Sequence, residues 1–201
     1  MTGIGSSTDF AARAMVKHFG LNPDKDVNIL ATGGGTNVWS AVQSSAVEAA
    51  ILWPPYDVIA SKLGMKKILY LGEILTLPGG GVVAADQLLK ENPEKAKRFL
   101  RASLKGLRFF VDEKNRSQSV SIIMKVFKLD EETALATHTF MRTILTHDGT
   151  ISLKTIENDL ETALLRVRDR KVLSLSRQEQ MNRMYDFSLL REILQEEKAK
   201  L

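Results

Sequence analysis

Three short stretches concentrate the groups able to hold a ligand. Ser6-Ser7-Thr8 puts three hydroxyls in a row at the start of a helical pattern. Hydroxyls and free backbone N–H groups at a helix start suit an anionic or polar ligand, and ordinary helix capping requires the same residues. Thr32-Gly33-Gly34-Gly35-Thr36-Asn37 lets the backbone come close to a bound molecule, because glycine has no side chain in the way. It lacks the Gly-x-Gly-x-x-Gly of a dinucleotide loop and the Gly-Lys-Ser/Thr of a phosphate loop, so as a bare loop it reads equally as turn or site. Trp53-Pro54-Pro55-Tyr56-Asp57 offers an aromatic wall beside a rigid turn; a hydrophobic plug over a strand end also accounts for it.

Catalytic chemistry finds less support. The three histidines, His18, His138 and His147, have neither His-x-x-x-His nor His-Glu-x-x-His spacing, so no metal site is expected. No Gly-x-Ser-x-Gly elbow supplies a nucleophile, and Glu48, Asp57 and Glu73 are scattered rather than paired. The absence of cysteine excludes disulfides, thiolate metal sites and thiol nucleophiles. We therefore expect no enzyme and no cofactor.

The elements that would position the three stretches alternate. Residues 2–5, 27–30, 47–53 and 67–71 read as strands. Helical patterns follow Ser6, Thr36 and Pro55, and they stop at Gly20, Ser45 and Gly64. Strand–helix alternation predicts a parallel sheet with helices on its faces. Each of the three stretches then falls at the carboxyl end of a strand, where open α/β sheets bind ligands.

After Gly72 the pattern changes. Pro78-Gly79-Gly80-Gly81 is a breaker cluster, 82–84 is one more strand, and the rest is helical. Asn92 with Pro93 opens a helix carrying Phe99, Leu100, Leu104, Leu107, Phe110 and Val111. Further helices carry Val120 to Phe127, Ala134 to Ile144 after an Asp130 cap, Leu153 to Val167, and Met181 to Leu194 after Ser176. Lys97, Arg98, Arg101, Lys105 and Arg108 oppose the apolar face of the first of these and read as a solvated outer surface. No aromatics interleave them as in single-strand binders, and no nucleic-acid partner is expected.

The linked set "GLNPDKDV", the glycine loop, "VEAAILWPPYDVIASKLG", "VVAADQLLKENPEKAKRFLRASLKGLRFF", "HDGTISLKTIENDL" and "YDFSLLREIL" closely resembles the thiamine-pyrimidine, sulfonate and nitrate class of solute-binding proteins of ABC transporters. The resemblance implies an α/β, type II periplasmic-binding-protein-like fold, with one small parallel-sheet lobe and a mostly helical C-terminal part. On it, residues 1–72 are lobe two, 73–81 a hinge, and 82–201 the strand and helices that complete lobe one, whose N-terminal segment is absent. It implies a small polar or anionic ligand (sulfonate, nitrate, pyrimidine or aromatic acid) held in an interlobe cleft for delivery to a permease. Its ligand contacts carry over to Ser6, Ser7 and Thr8, to Gly34, Gly35 and Thr36, and to Trp53, Pro54 and Pro55. A ligand-sensing regulatory domain of the same fold is the alternative. Helix faces left without their lobe predict self-association, and the full-length parent would be periplasmic or extracytoplasmic.

The bulk numbers agree with a globular chain. It has 201 residues, 44% hydrophobic and 26% charged, with a formal net charge of +4, enough to bury a core. No apolar run is long enough to span a membrane, and Met1-Thr2-Gly3-Ile4-Gly5 shows neither the basic nor the apolar region of a signal peptide.

Overall fold

The computed structural model describes residues 1–164 and 167–199, and the chain divides into two compact units, Met1–Thr76 and Leu77–Leu201. In the first unit, α1 (Ser7–His18) begins where the Ser6 hydroxyl accepts the Asp9 amide at 3.2 Å, and it buries Asp9 and Ala11. α2 (Gly35–Gln43) buries Val38 and Trp39, and α3 (Tyr56–Lys62) buries Ala60. Leu71–Glu73 forms a 3-10 turn. The stop after α1 uses the left-handed φ of Gly20, +77°, which a side chain would resist.

The parallel sheet predicted for residues 1–72 is not there. The described residues contain no strand, which overturns the α/β, type II lobe. The nearest approach to a ladder is a group of three backbone hydrogen bonds. The Met1 amine donates to the Leu30 carbonyl at 3.0 Å, and the Thr32 and Gly33 amides donate to the Met1 and Thr2 carbonyls at 3.0 and 2.9 Å. Residues 47 and 48 lie in a bend, and 49–53 and 67–70 form no regular element and have no ladder beside them. Extended apolar segments become a sheet only when neighbours exchange N–H···O=C bonds with them. Here they are half-buried or exposed, so their backbone groups stay open to water. The strand expected at 82–84 likewise forms no regular element, and Val82 and Val83 are exposed.

The second unit is helical: α4 (Asp86–Glu91), α5 (Pro93–Val111), α6 (Arg116–Phe127), α7 (Glu131–Ile144), α8 (Leu153–Leu164), α9 (Arg170–Leu173), α10 (Arg177–Met184) and α11 (Ser188–Lys198). The cap residues read from sequence act as such. Asn92 accepts from the Lys95 amide, Asp130 from the Thr133 amide and hydroxyl, and Ser176 and Glu179 close a capping box. The helix expected to reach Val167 ends among described residues at Leu164, and Val167 is not helical; positions 165 and 166 lie outside the described residues. The single helix expected after Ser176 breaks at Tyr185–Phe187 into α10 and α11.

Two apolar clusters organise this unit. Leu104, Leu190 and Ile193 join α5 to α11, with Leu100, Leu107, Phe187 and Leu194 around them. Val120, Ile123 and Ala134 join α6 to α7, with Phe110, Met124, Leu129 and Leu135 around them. The last turn of α5 is closed from outside: the carbonyls of Phe109, Phe110 and Val111 accept from Asn115 Nδ2 (3.2 Å), His138 Nε2 (2.9 Å) and Arg142 Nε (2.9 Å). Helix-end carbonyls lack partners within their own helix, and basic donors also favour that end of the dipole. His138, one of the three histidines weighed for chemistry, is thus a buried structural cap.

The basic stripe of α5 is not simply solvated. Lys97 pairs with Glu192 at 2.5 Å, Arg101 with Glu196 at 2.7 Å and Arg108 with Glu197 at 2.8 Å, all on α11. Arg98 and Lys105 stay exposed.

Candidate functional site

The glycine loop and the Trp53 junction come together at the start of α2. Gly33 takes a left-handed φ of +92°, which turns the chain into the helix. Gly34 precedes α2 without a side-chain cap, and its carbonyl accepts from Asn37 and Val38. The amides of Gly35 and Thr36, in the first turn, therefore point out of the helix end. Trp53 packs on Gly35, and the Thr36 hydroxyl is 3.0 Å from the Tyr56 hydroxyl. Tyr56 in turn stacks on buried Trp39, with ring centroids 6.0 Å apart and planes within 19°. Outward amides, an exposed hydroxyl and an indole that is 38% exposed thus meet on one small surface of the first unit. Pro54 is half-buried and Pro55 buried, so they hold Trp53 and Tyr56 in place more than they present surface.

The first junction is arranged differently. Ser6 and Thr8 turn toward Thr2: Thr2 Oγ1 donates to Ser6 Oγ at 3.1 Å, Thr2 Oγ1 and Thr8 Oγ1 lie 2.8 Å apart, and Ser6 Oγ donates to the Gly3 carbonyl at 2.6 Å. Buried Asp9 accepts from the Gly5 amide at 2.8 Å and from Arg13 Nε at 2.9 Å. Ser7 alone of the three is exposed, and it has no side-chain bond to Thr36 or Trp53. The bond from the Gly33 amide to the Thr2 carbonyl ties this hydroxyl cluster to the glycine loop. The Met1 amine belongs to the same group of bonds. Burial pulls its pKa below the usual amine value, while the charge of Asp9 acts the other way.

Sequence reasoning passed over Thr2, Trp39 and Tyr56. Tyr56 stands in the aromatic–proline run itself, and Trp39 lies one turn into the helix that Gly35 opens, so both were within reach of the pattern. Thr2 gave no signal; its role comes from the fold of the turn. One acidic side chain also stands out here: Asp57 has a buried carboxylate oxygen, Oδ1, with no hydrogen-bond partner. Among the described residues no group of His, Cys, Asp or Glu is placed to hold a metal ion.

Outward amides, hydroxyls and an indole on one surface are groups that can hold a polar ligand. The family model described as NMT1/THI5 like matches residues 2–116, more than half of the chain, and the chain belongs to that family. This is the thiamine-pyrimidine, sulfonate and nitrate class of solute-binding proteins, a binding-protein family and not an enzyme family, and its role is solute binding. No curated protein and no solved structure matches the chain. None of the described helices is long and apolar enough to cross a membrane.

Proposed function

We propose that the chain binds a small polar or anionic molecule at the start of α2 and serves an ABC importer outside the cytoplasmic membrane. The observation that carries this reading is the meeting of the Gly35 and Thr36 amides, the Thr36 and Tyr56 hydroxyls and the Trp53 indole on one exposed surface. Amides at a helix start favour negative or hydrogen-bond-accepting groups. An indole adds a planar face for an aromatic or pyrimidine ring. Gly34, Gly35, Thr36 and Trp53 are the proposed direct contacts, and Ser7 is a further one at the start of α1; Ser6, Thr8, Pro54 and Pro55 support them. Family membership supports a permease as the protein that receives the ligand.

Trp53 is the natural reporter. A panel of aliphatic and aromatic sulfonates, nitrate, aromatic carboxylates and aminopyrimidines is titrated while tryptophan emission and melting temperature are followed. At least one class should shift both, and Trp53→Phe should abolish the emission change. A panel that leaves emission and melting unmoved would refute the site.

A further inference from the structure

α5 has two lengthwise seams, and only one is filled. The inner seam of Ala96, Leu100, Leu104, Leu107 and Val111 faces its own unit, and α11 lies along it. There Leu190 and Ile193 fill the apolar line while Glu192, Glu196 and Glu197 meet Lys97, Arg101 and Arg108. The outer seam runs Lys95, Phe99, Ala102, Gly106, Phe109. These positions are spaced four, three, four and three apart, the repeat that keeps one helix face against a partner helix. All five are exposed; Phe99 is 59% and Phe109 36% accessible.

Three further features match a helical occupant. Ala102 and Gly106 lie mid-seam, and a side chain built on Gly106 would meet nothing within 4 Å, so a second backbone can approach closely. Arg98 and Lys105, seven residues apart, line one flank and have no acidic partner among the described residues. Beyond Phe109 the seam opens into a depression of about 420 Å³ walled by Ser117, Gln118, Ser121 and Ile122 of α6, large enough for an apolar side chain.

We propose that this outer seam docks an acidic amphipathic helix of another protein. The inner seam shows the chemistry at work within the same helix: apolar residues on the line and glutamates against the basic flank. A second copy of the chain is a poorer occupant. Two antiparallel copies would set Arg98 and Lys105 against their own equivalents, and like charges across a seam repel. None of these residues is among those proposed to bind the small ligand.

The test uses a labelled synthetic helix about three heptads long, leucines on the 4-3 line and glutamates on the flanks, beside a counterpart with lysines for glutamates. Fluorescence anisotropy should show the glutamate helix binding, and more weakly as salt is raised. Phe99→Ala and Gly106→Gln should each weaken it about tenfold. Gly106→Gln should do so without lowering the melting temperature, since glycine is the poorer helix former. Arg98→Glu with Lys105→Glu should transfer the preference to the lysine helix. Equal binding of both helices, or none to the intact protein, would overturn the proposal. So would loss with Arg101→Ala but not with Phe99→Ala, which would mean that the probe had displaced α11. A sedimentation dimer dissolved by Phe99→Ala would assign the seam to a second copy and overturn it as well.

Discussion

The Trp53 indole stands against Gly35 with Cζ2 2.5 Å from the point that a first side-chain carbon would occupy. Gly35→Ala must therefore push the ring away. The ring is partly exposed and can swing outward, so the stability change should stay under about 1 kcal/mol, while emission shifts to longer wavelength and affinity for the panel's ligand falls about tenfold. Unchanged emission and affinity would separate the glycine loop from the ligand surface.

His138 should prove a stability residue. Its ring is fully buried, and Nε2–H donates to the Phe110 carbonyl in the last turn of α5. His138→Ala strips that carbonyl of a partner and opens a cavity beside Phe110, so urea unfolding should show a loss of about 2–4 kcal/mol. Ligand binding in the first unit should be unaffected. A loss below about 0.5 kcal/mol would mean that the cap is replaced by water.

Tyr185 gives a signature in alkali. Burial raises its pKa above the ordinary 10, and its 2.6 Å bond to the Asp159 carboxylate raises it further. A group whose folded pKa is raised stabilises fully below the unfolded value. That stability is lost as pH climbs from about 10 toward the folded value. Thermal melts from pH 8 to 11 should fall more steeply for the intact protein than for Tyr185→Phe. Parallel curves would contradict a phenol that is half-buried and bonded to Asp159.

The α5–α11 contact should depend on its apolar line rather than on its charges. Ile193 is 1% exposed, and Ile193→Ala should cost about 2–5 kcal/mol. Arg101→Ala should cost far less than that, because its pair with Glu196 is partly exposed and screened by salt. Denaturant melts of the two variants decide the order; a larger effect from Arg101→Ala would reverse it.

Much of the helical half was legible because its signals are local. Asn92-Pro93, Asp130 and Ser176 each specify a helix start from neighbours within one turn. The strands were misread for the converse reason. Val47–Trp53 has the apolar run of a buried strand, but whether such a run joins a ladder depends on other segments lying beside it. The same holds for the basic stripe: Lys97 and Arg101 look solvated on a single helix, while their partners Glu192 and Glu196 stand about 95 residues away. In the candidate site, composition pointed to Gly35, Thr36 and Trp53, and the Thr36–Tyr56 bond that joins two of the junctions came only with the fold.

The corner formed by Thr2, Ser6 and Thr8 runs in one direction only. Ser6 gives its single hydroxyl hydrogen to Gly3 and Thr2 gives its own to Ser6, which leaves the Thr8 hydrogen to complete the series toward Thr2 or Ser6. Every hydroxyl hydrogen in the corner is then spent inside it. A visiting oxyanion would find no free hydroxyl hydrogen there, and of the three hydroxyls at the start of α1 Ser7 alone could still offer one.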